Sequence, residues 1–308
     1  MHPVSRRRFI VLLLGTAVGL AGCTRHDPLA APGAGAGSST IVVGSQDYYS
    51  NEILAEIYAQ GLERAGFTVD RQFRIGQREV YLPEIEAGGI SLIPEYTGNL
   101  LQYWEPQATS GDSAEIYAQL LRHAPSEVSV LEQSSATDQD SYTVTSEFSQ
   151  KWGVTGVADL ARVSGPLRYG APSEAESRPY GPRGLADAYG VEVDFTPIED
   201  SGGPLTLKAL RDNDVQVANI YSADPAVEAN GLVTLEDPRG LLLPSHVVPL
   251  AHTNLAPAAR RVINAISATL TTQDLIDLNA RSVQEQQRTE RIAREWWESH
   301  PEIPLGVD

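Results

Sequence analysis

The chain has 308 residues, 42% of them hydrophobic and 20% charged, which is enough apolar side chain for a packed core and excludes a wholly disordered or collagen-like chain. Forty acidic residues against 23 lysines and arginines give a net charge of −17, which argues against sequence-independent nucleic-acid binding through a basic face. The single cysteine, Cys23, excludes an intramolecular disulfide and a cysteine-rich zinc site.

Arg6, Arg7 and Arg8 precede an apolar run from Phe9 to Ala21. A membrane-spanning helix needs about 20 such residues; this run has the length of a signal-peptide core instead. It ends in Leu20-Ala21-Gly22-Cys23, which resembles a bacterial lipobox, where the cysteine thiol is acylated and becomes the new N-terminus. Ser5-Arg6-Arg7-Arg8-Phe9-Ile10 also resembles a twin-arginine export signal, and a general secretory signal can carry the same arginines. Residues 1–22 therefore read as a signal peptide. Residues 23–39, rich in Pro, Gly, Ala and Ser, read as a lipid-anchored flexible linker. The expected location is the extracytoplasmic face of the cell membrane, with the lipid as the sole membrane contact.

Ile41-Val42-Val43 reads as a buried strand entering a turn at Gly44-Ser45. Ser50 can cap a helix to about Ala65, with Ile53, Leu54, Ile57, Tyr58 and Leu62 on one face and Gly66 as its stop. A strand at Thr68–Ile75, a helix at Glu79–Ala87 and a strand at Ile90–Ile93 follow; this order implies a parallel sheet with helices on its faces. The alternation recurs, with strands at Tyr142–Thr145, Leu167–Gly170, Val193–Pro197, Val215–Asn219 and Leu232–Leu235. Helices lie near 147–152, 157–162, 182–189 and 204–212, and Pro257–Ser299 is nearly all helical. The class is α/β: two units joined by crossing strands, with a helical tail. Ligands of such folds bind beyond the carboxyl ends of strands and between domains. That singles out the loops Gly44–Tyr49, Pro94–Asn99, Asp138–Tyr142 and the position of Tyr221.

No phosphate-binding Gly-x-x-x-x-Gly-Lys loop, Gly-x-Ser-x-Gly elbow or His-Glu-x-x-His pair occurs. The six histidines are scattered, and the acidic pairs Glu84/Glu86 and Glu174/Glu176 read as solvated faces. An enzyme is not expected, and no cofactor or metal is implied.

Five segments carry a resemblance, in the same order along the chain. They are Gly44-Ser45-Gln46-Asp47-Tyr48, Ile90 to Asn99 (with Pro94-Glu95-Tyr96-Thr97-Gly98), Asp140-Ser141-Tyr142-Thr143-Val144, Ala218 to Asp224, and Leu270 to Asn279. Together they resemble the substrate-binding lipoproteins of osmoprotectant ABC importers, which take glycine betaine, choline, carnitine and similar solutes. The resemblance implies a two-lobe periplasmic-binding-protein fold of type II, each lobe a mixed sheet flanked by helices, with a hinge of two crossing strands. Residues 40–141 plus 246–308 would form the first lobe and 142–245 the second. It also implies a monomer that captures a small-molecule solute and delivers it to ABC permease and ATPase subunits, without nucleic acid.

A quaternary ammonium has no N–H to donate, so hydrogen bonds cannot select it, whereas aromatic faces attract it at about 0.5–2 kcal/mol per contact. By motif match, Tyr96, Tyr142 and Tyr221 fall on the family's tyrosine box. A lone tyrosine reads first as packing; three on matching motifs beside predicted loops read as a box. The pattern departs at Ser245, which stands where the fourth box tyrosine would be, so one wall is missing unless His246, Tyr48 or Trp104 supplies it. Asp47 replaces an asparagine, Asn99 a threonine, and Ile93 a frequent tyrosine. A lost wall would weaken trimethylammonium binding by about 1 kcal/mol or more and open space for a larger, aromatic or polyphenolic ligand. A betaine carboxylate needs donors, which helix N-termini at Gln46–Asn51 and Gly76–Gln77 could supply. Arg78 and Arg178 are candidate charged partners, although each reads first as a solvated surface residue. The competing classes are an enzyme on the same scaffold and a surface sensor or adhesion lipoprotein.

Overall fold

In the computed structural model, which describes residues 40–108 and 111–305, strands and helices alternate as the hydrophobic pattern implies. The signal peptide, Cys23 and the linker lie outside the described residues. The first stretch runs β1 (Ile41–Gly44), α1 (Tyr49–Arg64), β2 (Val69–Gln72), α2 (Arg78–Glu86), β3 (Leu92–Tyr96), α3 (Thr97–Trp104), α4 (Ser113–His123) and β4 (Val128–Val130). The second runs β5 (Tyr142–Thr145), α5 (Ser146–Trp152), β6 (Arg168–Ala171), α6 (Pro182–Tyr189), β7 (Asp194–Pro197), α7 (Pro204–Arg211), β8 (Val217–Asn219), α8 (Ala226–Ala229) and β9 (Leu232–Thr234). The chain then returns through β10 (Val247–His252) to α9 (Pro257–Thr269), α10 (Thr272–Val283) and α11 (Thr289–Ser299). No described helix is long and apolar enough to cross a membrane.

Two five-stranded mixed sheets result, ordered β2-β1-β3-β10-β4 and β7-β6-β8-β5-β9. In the first, β1 pairs parallel with β2 and β3, and β10 enters antiparallel between β3 and β4. The parallel sheet read from the strand–helix order therefore becomes mixed once β10 is placed. Strand β10 carries Pro249, a residue that normally argues against a central strand because it cannot donate to the ladder. Its register partner on β3 is Pro94. Two prolines directly opposite lose no mutual bond at a non-hydrogen-bonded step, where both backbones face away from each other. The Pro249 carbonyl accordingly accepts from the Leu131 N–H at 2.9 Å on the far side.

Local signals account for the helix ends. Gly66 takes φ +86°, the left-handed turn that lets the Phe67 N–H reach the Leu62 carbonyl at 3.0 Å. Helices α6 and α7 open on Pro182 and Pro204, and α4 and α10 on Asp112–Glu115 and Thr271–Asp274 capping boxes. Helix α1 is buried nearly all round because the first sheet covers one side and α9, α10 and α11 the other. Gly61 permits that approach: a Cβ there would stand 2.6 Å from the Trp297 ring and 2.9 Å from Ile266.

Two segments join the sheets. Residues 131–141 lead out of β4 into β5, and 235–246 return from β9 to β10. They run antiparallel, with Ser134 N–H to Val247 O at 2.9 Å, Val247 N–H to Ala136 O at 3.0 Å and Asp138 N–H to Ser245 O at 3.2 Å. These are the two crossing strands of the hinge.

Candidate functional site

The Pro94-Glu95-Tyr96-Thr97-Gly98 run is best understood atom by atom. The Pro94 carbonyl, turned away from β10, accepts from Asn51 Nδ2 at 3.0 Å, tying the loop after β1 to the end of β3. Asn51 Oδ1 in turn accepts from the Gln46 N–H at 2.9 Å. The Glu95 carboxylate is fully buried and takes a bidentate ion pair from Arg78, at 2.9 and 2.8 Å. The Thr97 N–H donates to the His246 carbonyl, and the His246 N–H returns a bond to Thr97 Oγ1, both at 3.0 Å. Gly98 lies against the returning crossing segment, where a Cβ would stand 2.7 Å from the Leu243 and Pro244 carbonyls. Everything around Tyr96 is thus fixed, and its ring faces the gap between the two halves.

Tyr48, just before α1, is the centre of an aromatic stack. Its ring lies 6.3 Å from that of Tyr96 and 5.3 Å from that of Tyr221, with interplanar angles of 29° and 27°. Tyr221 follows β8 of the second sheet yet packs on the first core, because the Tyr221–Asp224 turn is pinned there. Asn279 Nδ2 holds the Ala223 carbonyl at 3.1 Å, and the Tyr49 hydroxyl holds Asp224 at 2.8 Å. Burial pushes the hydroxyls of Tyr48, Tyr96 and Tyr221 above their ordinary range, so the rings stay neutral. A cavity of about 20 Å³ lies among Tyr48, Tyr96, Tyr180 and Tyr221, with Gln46, Gln77, Arg78, Asn99, Asp138, Asp140 and Glu174 completing its walls. That volume suits about one water molecule. Its walls come from both sheets and from the crossing segment between them.

Residues 39–299 match the family model described as the substrate binding domain of ABC-type glycine betaine transport systems. The chain belongs to this family. It is a substrate-binding protein of ABC-type transport, and not an enzyme. A glycine betaine-binding protein of Escherichia coli, YehZ, is 24% identical over 274 residues, covering 84% of this chain and 90% of that protein. A crystal structure of a glycine betaine/carnitine/choline ABC transporter protein superposes with a TM-score of 0.69 at 19% identity, covering 86% of this chain and all of the other. Lactococcal OpuAC in its closed form with glycine betaine gives 0.63 at 14% identity, covering 86% and 97%. These likenesses establish the two-lobe fold.

Against that fold, the expected site residues divide. Tyr96, Tyr221, Tyr48, Gln77 and Asn99 reach the cavity of this binding protein. Tyr142 does not. It begins β5 on the same face as Val144, both are completely buried in the second core, and its ring lies 5.6 Å from that of Tyr169. Its hydroxyl donates to the Tyr180 carbonyl at 2.6 Å, so it supports the residue that does line the cavity. Asp47 is exposed. Ser245 is fully buried, bonded through Oγ to Asn99 Oδ1 at 2.8 Å, and opens no space in the cleft. His246 turns to the Ser134 carbonyl at 2.9 Å, and Trp104 packs at the edge of another core cluster. Of the three residues expected to replace the missing wall, Tyr48 lines the cavity, and Tyr180 lines it too. Tyr180 lies in Pro179-Tyr180-Gly181-Pro182, an aromatic residue in a turn that opens α6, a signal that was available in the sequence.

Neither arginine is a solvated surface residue. Arg78 is buried on Glu95, while Arg178 pairs with Glu79 at 2.8 Å and lies 5.3 Å over the Tyr103 ring. Glu174 is not simply a solvated face either, since it lines the cavity and burial raises its carboxyl. Asp138 and Asp140 are 3% and 5% exposed. Asp138 accepts from the Ala223 N–H at 3.0 Å, and Asp140 accepts from Asn99 Nδ2. Burial pushes the Asp138 carboxyl up to about 7 against the lowering effect of the Ala223 bond, with Asp224 and Asp140 adding to the rise. Burial likewise raises Asp140, with Asn99 opposing.

Proposed function

We propose that the protein captures a quaternary-ammonium solute of the glycine betaine, choline or carnitine type between its lobes and delivers it to an ABC permease. The convergence of Tyr48, Tyr96 and Tyr221, with Tyr180 opposite, supports this reading. Neutral aromatic faces attract a cation that offers no hydrogen bond. A cavity of about 20 Å³ does not hold such a solute, so capture requires the lobes to part and reclose about the crossing segments. Titration calorimetry with glycine betaine, choline and carnitine tests the reading. At least one should bind saturably, and Tyr48→Ala should weaken it by about tenfold, given roughly 1 kcal/mol or more per lost aromatic contact. Absence of binding to all three would sink it.

The lipobox-like segment at Cys23 supports a lipid tether on the extracytoplasmic face, where a captured solute lies beside the permease. Mass spectrometry of the mature N-terminus should find an acylated Cys23, and Cys23→Ser should release the protein from membranes.

A further inference from the structure

We infer that Asp138 and Asp140 on the crossing segment, with Glu174 opposite, make this cleft select a net cation over a zwitterion. The inference rests on the quaternary-ammonium reading above. Among the described residues that line the cavity, three carry carboxylates and one, Arg78, carries a positive charge. Arg78 gives two of its guanidinium nitrogens to Glu95, so the pair presents little net charge to a ligand. Arg178 is turned aside to Glu79 and the Tyr103 ring. Asp138 and Asp140 line the cavity and accept hydrogen bonds, and among the described residues neither has an ion-pair partner within 4 Å.

Three carboxylates in a narrow, poorly solvated gap repel one another and any added anion strongly, because the low dielectric that strengthens attraction strengthens repulsion equally. Burial raises the carboxyls of Asp138, Asp140 and Glu174, so before any ligand enters the site already disfavours its own negative charge. A trimethylammonium group supplies the counter-charge. A ligand that also brings a carboxylate must strip that group of water and set it beside three acids. A ligand that brings a hydroxyl instead can donate to one of them, a charge-assisted bond. Tyr96 lines the same cavity, and its hydroxyl, buried and without a hydrogen-bond partner among the described residues, can donate to the hydroxyl oxygen of such a ligand.

The test is calorimetry on the full-length protein at pH 8.5 with choline and glycine betaine as probes. Wild type should bind choline at least tenfold more tightly than betaine. Asp140→Asn should weaken choline by tenfold or more while leaving betaine unchanged or tighter. Glu174→Gln, at the half-exposed rim, should shift the ratio the same way and serves if Asp140→Asn does not fold. Betaine binding as tightly as choline, or equal loss of both in a natively melting Asp140→Asn, overturns the inference and leaves the quaternary-ammonium reading intact. Failure of choline and betaine to bind overturns this inference, and failure of carnitine as well overturns the quaternary-ammonium reading with it.

Discussion

Asp138 sits where the chain leaves the first sheet, held by the Ala223 N–H and surrounded by Tyr48, Tyr49 and Tyr96 and by the acids Asp140 and Asp224. Its folded carboxyl titrates near 7 against an ordinary 3.8, so the folded state holds this proton more tightly than the unfolded chain. The stabilisation is complete below the ordinary value and is lost as pH rises through 7, at about 1.4 kcal/mol per pH unit. Thermal melts of the ligand-free protein should therefore show Asp138→Asn gaining on wild type from pH 4 to pH 7 and levelling beyond; parallel curves would contradict this. Tyr142 calls for the opposite separation of stability from binding. Tyr142→Phe removes the bond to the Tyr180 carbonyl and should cost about 1 kcal/mol of stability, read by urea melts, while solute affinity changes less than twofold. The motif match put Tyr142 on the box because sequence carries a residue's place in a strand but not which face of that strand looks into the cleft. Tyr48 has the converse history: it was legible as a loop aromatic, and only its two stacked neighbours make it a wall.

At the scale of elements, the loop after β1 and the end of β3 form one unit because Pro94 and Pro249 oppose each other. With neither backbone bonded across that step, the Pro94 carbonyl is free to hold Asn51. Helix α1 is positioned from behind by α11, whose Trp297 Nε1 donates to the Ile57 carbonyl at 3.0 Å beside Gly61. Gly61→Ala should destabilise the protein by about 1–3 kcal/mol despite alanine's better helix propensity, because the indole it meets is itself buried and cannot retreat. Denaturant melts measure this, and a stabilised variant would show that the α1–α11 contact has slack. The β1–α1–β2–α2–β3 order was legible because it rests on local periodicity. Helices α3 and α4 and strands β4 and β10 were not: α3 follows β3 without a turn residue, and β10 hides behind its proline.

Across the whole molecule, the two halves meet through an ion pair as well as through the turn that carries Tyr221. Arg178, beyond β6 of the second sheet, reaches Glu79 on α2 and the Tyr103 ring on α3. Its side chain is 14% exposed and that of Glu79 52%, so the pair is partly screened. Arg178→Ala should shift the ligand-free protein toward an open form, seen as a larger radius of gyration in small-angle scattering, and weaken solute binding several-fold through the smaller closed population. An unchanged radius and affinity would show that the arginine latches nothing. By itself the sequence determined the family and the alternation of strands and helices, since both reside in short segments whose spacing is local. Which tyrosines meet, that Ser245 opens no space, and that three acids share one cavity were decided by the tertiary structure. Each depends on a strand's facing, a turn pinned to the opposite core, or two segments crossing side by side, and those relations join residues that local periodicity does not connect.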